Sequence, residues 1–468
     1  MTRSWLAPGL VALTCAISLP QVAWAAALAG ARGPSSGDSL SVAGAFLPHV
    51  PSPLSLEDAL RFAREHNPEL RIARAALDVA RAESTFARVR PFNPVVEFRQ
   101  SRGGQSLGSG TDGAFEIGLD QEVELGGKRS GRQAVASARV RTATLEYAAT
   151  LQAIESEVRA SFQRTLFLRD RLDLLTQLTE LDRRVSLSTQ ARVRDGSVTP
   201  LTGRLTDLDL LRIDAQRRRS RSDYRQAHAA LGLVLGRSLP DSIRLEGTIT
   251  VDSLAVPEDS VVATALRSRR QGEVLQRRIQ ERRAEHRLAV LEARPNLTVG
   301  VGLASDKLSL SGADFRGDPA VVRGISGATD TDRLWTARVS VPLPFWQRNQ
   351  VARARAASEI VRSQSEYDSY AVRTELEVRA AARGFEDAAE LYAIYLERST
   401  RVRQDLVLVL EAYADGRISL DSYLAQKGRL VDTLISQLEA GDAYWETRSA
   451  LESAVGLALG HLNRGGER

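Results

Sequence analysis

The 468-residue chain is long enough for several average domains, yet it holds 5% aromatic residues, 16 prolines, one methionine and 26% charged residues, almost all Arg, Glu or Asp. That composition describes long solvated helices. The pI near 9.5 is built from arginines at helical spacing from acids, as in Glu57 with Arg61, Glu155 with Arg159, Glu375 with Arg379 and Glu397 with Arg401, and such pairing argues against nucleic acid as a partner.

The N-terminus carries Arg3, an apolar run from Trp5 to Leu19, and Ala23-Trp24-Ala25 with the small-x-small pattern of a signal-peptidase site. Residues 1–25 therefore read as a signal peptide and 26–54 as a Gly-, Ser- and Pro-rich linker. Cys15, the one cysteine, lies inside the apolar run, so a mature chain from Ala26 has neither a disulfide nor a thiolate metal site. No later stretch has the 18 or so apolar residues of a membrane-spanning helix, which leaves an exported protein soluble or held in a membrane as a β-barrel.

Ser55 is a candidate N-cap, with Asp58 three residues on, for a helix running to about Arg90 and kinked at Asn67-Pro68. Beyond Pro91 and Pro94 the period becomes two. Val96 and Phe98 alternate with Glu97 and Arg99, and Phe115, Ile117, Leu119 and Val123 alternate with Glu116, Gly118, Asp120 and Glu122, which predicts a β-hairpin over 93–125. From Arg129 to Val193 there is no proline, and a stripe through Ile154, Val158, Phe162, Leu168, Leu172, Leu175 and Leu178 predicts one helix. At 1.5 Å per residue it is about 100 Å long. Asp195-Gly196 breaks it, and a second helix returns from Leu201 to Leu235.

The plan then repeats. Arg194 to Val198 echoes Ala414 to Ile418, and Leu231 to Gly236 echoes Leu451 to Gly456, both 220 residues on. Upstream, Asn67 to Leu70 aligns with Gln271 to Val274 and Arg90-Pro91 with Arg294-Pro295, both 204 apart, so an insertion falls in the Gly- and Ser-rich stretch Ser305 to Asp332. The repeats are 55–257 and 258–460, with hairpins over 93–125 and 296–343, helical tips near 194–199 and 413–419, and a tail at 461–468. In the second, Leu297, Val299, Val301 and Leu303 form one strand face, Trp335, Ala337, Val339 and Val341 the other, and helices run over 351–414 and 420–457.

Helices this long must pack as coiled coil, and four strands cannot close a barrel. Oligomerisation answers both, and three chains would supply twelve strands. The fold class is thus mainly α with a small β part: long antiparallel coiled-coil helices plus four strands per chain.

Leu56-Glu57-Asp58-Ala59-Leu60, Ala63, Asn67-Pro68-Glu69-Leu70, Ala73 and the turn Tyr413-x-x-Gly416 resemble the TolC family of outer-membrane efflux channels, over about Ser55 to Gly460. The resemblance implies a homotrimer whose trimeric 12-stranded β-barrel in outer-membrane lipid is continued by an α-helical tunnel, with tips meeting a periplasmic adaptor that links to an inner-membrane pump of the resistance-nodulation-division type. Glu124-Leu125-Gly126-Gly127-Lys128-Arg129 is similar to the strand-to-helix junction of the CzcC-like branch, which implies cobalt, zinc or cadmium efflux; drug efflux and type I protein secretion use the same fold. A periplasmic coiled-coil protein without a pore is the reading from another class. The second-tip positions that carry an acidic ring in some relatives are Ser422 and Ala425 here, with Asp421 one place early.

Candidate site residues follow. Asp195, Gly196, Ser197, Tyr413, Asp415, Gly416, Ile418 and Asp421 form the tips and gate. Glu97, Glu116, Asp120, Glu122 and Arg338 line the barrel lumen, where an acidic wall would favour cations. Gly126, Gly127, Lys128 and Arg129 turn strand into helix on a solvated junction; Glu122 and Arg129 stand where a phosphate loop needs Gly and Ser or Thr. His49, His66, His228, His286 and His461 lack ligand spacing and read as helix-surface residues. No catalytic constellation, cofactor loop or metal cluster is legible, so the sequence reads as a non-enzymatic conduit without cofactor.

Overall fold

The computed structural model describes residues 50–104, 111–240, 243–247, 251–309 and 329–465. The segment expected to be a signal peptide, most of the expected linker, Cys15, His49 and the tips of both expected β-hairpins lie outside them. The elements below all belong to one compact unit spanning Pro51–Arg468.

Helices α1 (Leu56–His66) and α2 (Pro68–Phe86) precede strands β1 (Val95–Gly104) and β2 (Thr111–Val123). Two long helices follow, α3 (Lys128–Arg194) and α4 (Pro200–Leu235). The second copy is α5 (Glu258–Ser268), α6 (Arg270–Glu292), β3 (Leu297–Ser309), β4 (Thr329–Ser340), α7 (Gln350–Ala414), α8 (Leu420–Val455) and a short α9 (Leu459–Gly465). Leu54, read as linker, instead bridges to Leu245 and is fully buried.

The first helix breaks at Asn67 rather than kinking there, and ends at Phe86. Asn67 adopts an extended backbone, its side chain accepts from the amides of Glu69 and Leu70, and its Nδ2 donates to the Val234 carbonyl at 2.7 Å. Pro68 then starts α2 at a position where its missing amide costs nothing. The matching break in the second copy is Arg269, 202 residues on, not Gln271-Gly272. Left-handed residues open both long helices, Gly127 and Asn349, which are 222 apart, while the tip glycines Gly196 and Gly416 are 220 apart. The second copy therefore gains about twenty residues within its β-hairpin, and α7 (65 residues) is two shorter than α3 (67 residues). Ile154, Val158, Phe162 and Thr165 already stand 220 before Thr374, Val378, Ala382 and Phe385, all eight buried, so the missing two residues lie above Ile154.

The ion pairs read from helical spacing form only in part. Arg379 binds Glu375 at 3.1 Å, but Arg61 takes Asp58 and Glu155 takes Arg64 of α1 at 2.7 Å. Within α1 the nearer acid takes Arg61, and across helices Arg64 takes the Glu155 carboxylate in place of Arg159.

One core joins the copies where Phe385, Tyr392, Tyr444 and Trp445 pack with Phe167, Val261, Leu451 and Val455. A second, toward the tips, holds Leu174, Leu175, Leu178, Ile213, Leu406, Val431, Leu434 and Leu438. Both cores draw on α3, α7 and α8, so the halves are welded along the length of the helices.

Candidate conduit wall and hairpin tips

The four strands form one antiparallel sheet in sequence order. Register aligns Phe98, Ile117, Leu303 and Trp335 across it, with Val96, Leu119, Val301 and Ala337 two rows away. That face is apolar and uncovered: Val96, Phe98, Val301, Val339 and Trp335 are all exposed, Trp335 at 82%. Among the described residues no helix packs extensively on either face of the sheet. At about 3.3 Å per residue a thirteen-residue strand is roughly 43 Å long, enough to cross a bilayer's hydrocarbon at a 45° tilt.

The other face carries four of the acids singled out from the sequence, with their countercharges. Arg99 binds Glu116 at 3.0 Å and approaches Glu97 at 3.8 Å; Arg338 reaches Glu116 at 3.4 Å and Asp120 at 3.8 Å. A charge ladder thus crosses the sheet, over a hollow floored by Gly118, Gly300 and Gly302. A Cβ on Gly300 would sit 1.9 Å from Asp120 Oδ1, and one on Gly302 2.6 Å from Thr336 Oγ1, so these glycines make the space the ladder occupies.

Glu122 stands apart from the ladder, accepting from Asn296 Nδ2 at 2.5 Å, while Asn296 Oδ1 accepts from Lys128 Nζ at 2.6 Å. Lys128 is buried while Gly127 and Arg129 are exposed, so the expectation of a solvated junction fails at Lys128 alone. Gly126 and Gly127, both left-handed, turn β2 sharply into α3, and Arg294 donates to the Gly126 carbonyl while Arg129 donates to that of Arg88. The four junction residues weld the sheet to the helices. Leu343, Phe345 and Trp346 project at the same level, Trp346 86% exposed.

The two tips are built alike. Asp195 and Asp415 cap the descending helices, Gly196 (φ 72°) and Gly416 (φ 74°) reverse the chain, and the amides of Ser197 and Arg417 return to the carbonyls of Arg192 and Ala412 at 2.9 Å. Thr199 and Ser419 cap the returning helices. No atom lies within 4 Å of a Cβ built on either glycine, so the positive φ alone requires Gly there.

Their interiors differ. Tyr413 and Tyr423 stack at 4.7 Å in the second hairpin, where the first has Val193 and Gly203, 220 residues earlier. Tyr413 hydroxyl bonds Thr189 of α3 at 3.1 Å, Arg192 lies over its ring at 5.5 Å, and Ile418 packs against the same cluster. Asp195, Ser197, Asp415 and Asp421 are exposed; Tyr413 is buried and Ile418 half-buried.

Just above the tyrosines lies a cluster that the sequence reading missed. Lys427 of α8 is ion-paired with Asp182 of α3 at 2.5 Å and with Asp209 of α4, and Lys427 and Asp182 are buried. Burial pushes the Asp182 carboxyl above its ordinary range, with Lys427 opposing, and burial with the two nearby carboxylates raises the Tyr423 hydroxyl. Lysine scarcity was the available signal: the chain has three lysines, and Lys128 and Lys427 are both buried. His228, expected on the surface, is buried too, whereas His461 is exposed.

Residues 59–237, most of the first repeat, match the family described as Outer membrane efflux protein. No curated protein matches the sequence. The structure is similar to that of a membrane protein from Pseudomonas aeruginosa (TM-score 0.65, 17% identity, covering 86% of this chain and 92% of that one). It is also similar to the CmeC outer membrane channel of Campylobacter jejuni (0.64, 14%, 86% and 85%) and to the open state of the Neisseria gonorrhoeae MtrE outer membrane channel (0.63, 17%, 86% and 89%). At these identities the likeness is one of fold, and it includes the helices-plus-four-strands plan read from the sequence.

Proposed function

We propose that three copies of this chain form the outer-membrane conduit of a tripartite efflux system. Each copy contributes four strands to a closed barrel in lipid and four long helices to a tunnel reaching into the periplasm. The observation that carries the reading is the bare sheet: one apolar face, one polar face and two unpaired edges are costly for an isolated chain in water or lipid, and barrel closure by neighbouring copies relieves both. The chain conducts passively, and the tips meet a periplasmic adaptor that links to a pump of the resistance-nodulation-division type.

Heavy-metal cations are the cargo we favour, on the resemblance of Glu124 to Arg129 to the CzcC-like junction. The ladder supports passage without capture, because Arg99 and Arg338 occupy Glu116 and Asp120 while leaving the wall with an excess of acid. Two measurements test the reading. Purified protein should insert into planar bilayers as trimers with stable conductance, and deletion should sensitise cells to zinc, cadmium or cobalt. Sensitisation to antibiotics alone would move the cargo to drugs, and absence of conductance would overturn the channel.

A further inference from the structure

At one end of the sheet the four connectors to the helices come together, because register sets Val95 beside Asp120, Val123 beside Leu297 and Thr298 beside Ser340. These connectors are rich in exposed arginine. Arg88 and Arg90 precede β1, Arg129 follows β2, Arg294 precedes β3, and Arg348 and Arg353 follow β4. Among the described residues none of the six has a carboxylate partner, since the neighbouring Glu124 is taken by Arg132 and Glu122 by Asn296. The exposed Glu292 offsets one of them. The bonds that the arginines do make run to main-chain carbonyls: Arg129 to Arg88 at 2.6 Å, Arg294 to Gly126 at 3.0 Å and Arg348 to Pro344 at 3.2 Å. A carbonyl orients a guanidinium without neutralising it, and the remaining donors stay free.

Apolar side chains run from the sheet into this basic collar. Val341 and Leu343 extend the odd-numbered apolar positions of β4 past Val339 and are exposed, and Phe345 meets Trp346 edge to face at 6.0 Å. An apolar band, then exposed aromatic rings, then unneutralised cations is the order found across a bilayer boundary, where amphipathic rings lie at headgroup level and phosphates just beyond the hydrocarbon.

We infer that this end of the sheet is a docking collar for anionic phospholipid headgroups of the periplasmic leaflet, with Trp346 at the acyl boundary and the exposed arginines on the phosphates. The inference rests on the channel reading, which puts the sheet in lipid, and adds a preferred lipid class at one defined level.

The test reconstitutes the full chain in bilayers of phosphatidylcholine and phosphatidylglycerol in equal parts, with bromine on the acyl chains of one lipid or the other. The Trp346 signal is the difference between wild type and Trp346→Phe. Enrichment on the order of fivefold per arginine in contact should make brominated phosphatidylglycerol quench that signal about twice as strongly as brominated phosphatidylcholine, or more. Arg88→Gln with Arg90→Gln and Arg348→Gln should cut the excess by about half or more, and so should salt at about 0.5 M on the unaltered chain, an arm that stands whether or not the triple variant folds. Equal quenching by the two lipids, an excess unchanged by both perturbations, or a Trp346 that neither lipid quenches would overturn the collar. Trp335 separates the two readings. Followed in the same way through Trp335→Phe, it should be quenched by either lipid, and only its failure to respond counts against the barrel.

Discussion

Replacing Lys427 by methionine keeps the stem and removes the ammonium. It would leave Asp182 and Asp209 facing each other among α3, α4 and α8, with Asp182 at 4% exposure. Breaking a buried pair in this way costs about 3–5 kcal/mol, because the surviving charge keeps its desolvation penalty and loses its partner. At 1.4 kcal/mol per decade, local opening of the tip-proximal helices should rise between about a hundredfold and a few thousandfold. Amide hydrogen exchange reads this directly: residues 423–431 of α8 should exchange faster, while those near Tyr444 in the inter-repeat core act as an internal control. The defect should also depend on pH with a definite sign. Burial raises the Asp182 carboxyl, so its neutral form is favoured by folding, and that contribution is present at low pH and lost as pH rises through the folded value. In the methionine variant the opposing cation is gone, so acidification should narrow its gap from wild type. Unchanged exchange at 423–431, or a gap that widens on acidification, would refute the reasoning. The triple variant Asp182→Leu, Asp209→Leu, Lys427→Met should recover most of the loss, since a buried charge network replaced whole is often neutral or better.

At the tip, Ser197→Arg should abolish efflux while leaving the trimer intact, since the side chain is exposed and outside the tyrosine cluster; wild-type resistance would refute adaptor docking there. Ile418→Arg should combine that loss with local instability, because Ile418 packs on Tyr413 and Tyr423, and faster proteolysis at the tip would show it. In the wall, Glu116→Gln with Asp120→Asn frees Arg338 and leaves Arg99 with Glu97 alone, and the reversal potential in a salt gradient should move away from the cation potential; no movement would remove the selective role. Gly126→Ala forces a side chain into a φ of 76° beside Arg294, and should cost about 1–2 kcal/mol, read as a lower melting temperature of the purified protein.

Much of the helical and strand plan was legible because it rests on local signals. Proline-free runs, the switch to period two after Pro91, and glycines at 196, 236, 416 and 456 are read over a few neighbouring residues, and all four glycines adopt the left-handed conformation. Side-chain partnerships were not legible. Glu155 turns from Arg159 to Arg64, and Asn67 reaches Val234, because helices distant in sequence offer better geometry than the next turn of the same helix. Asp209 and Lys427 are 218 residues apart, and no periodicity reports such a meeting. Composition held the hint instead, since a lysine is the exception in a chain whose cations are almost all arginine.

The two residues that α7 lacks relative to α3 set how symmetric an assembly can be at each level. Below Ile154 and Thr374 the copies keep one 220-residue register and the same turn backbone, so the proposed trimer would offer a partner six tips of like main chain and unlike interior. Nearer the sheet the correspondence slips by two residues, about 3 Å of rise and more than half a turn, and the second β-hairpin is longer. A partner gripping the barrel end would meet only three-fold order. Two partners of different stoichiometry could therefore read the same tube from opposite ends.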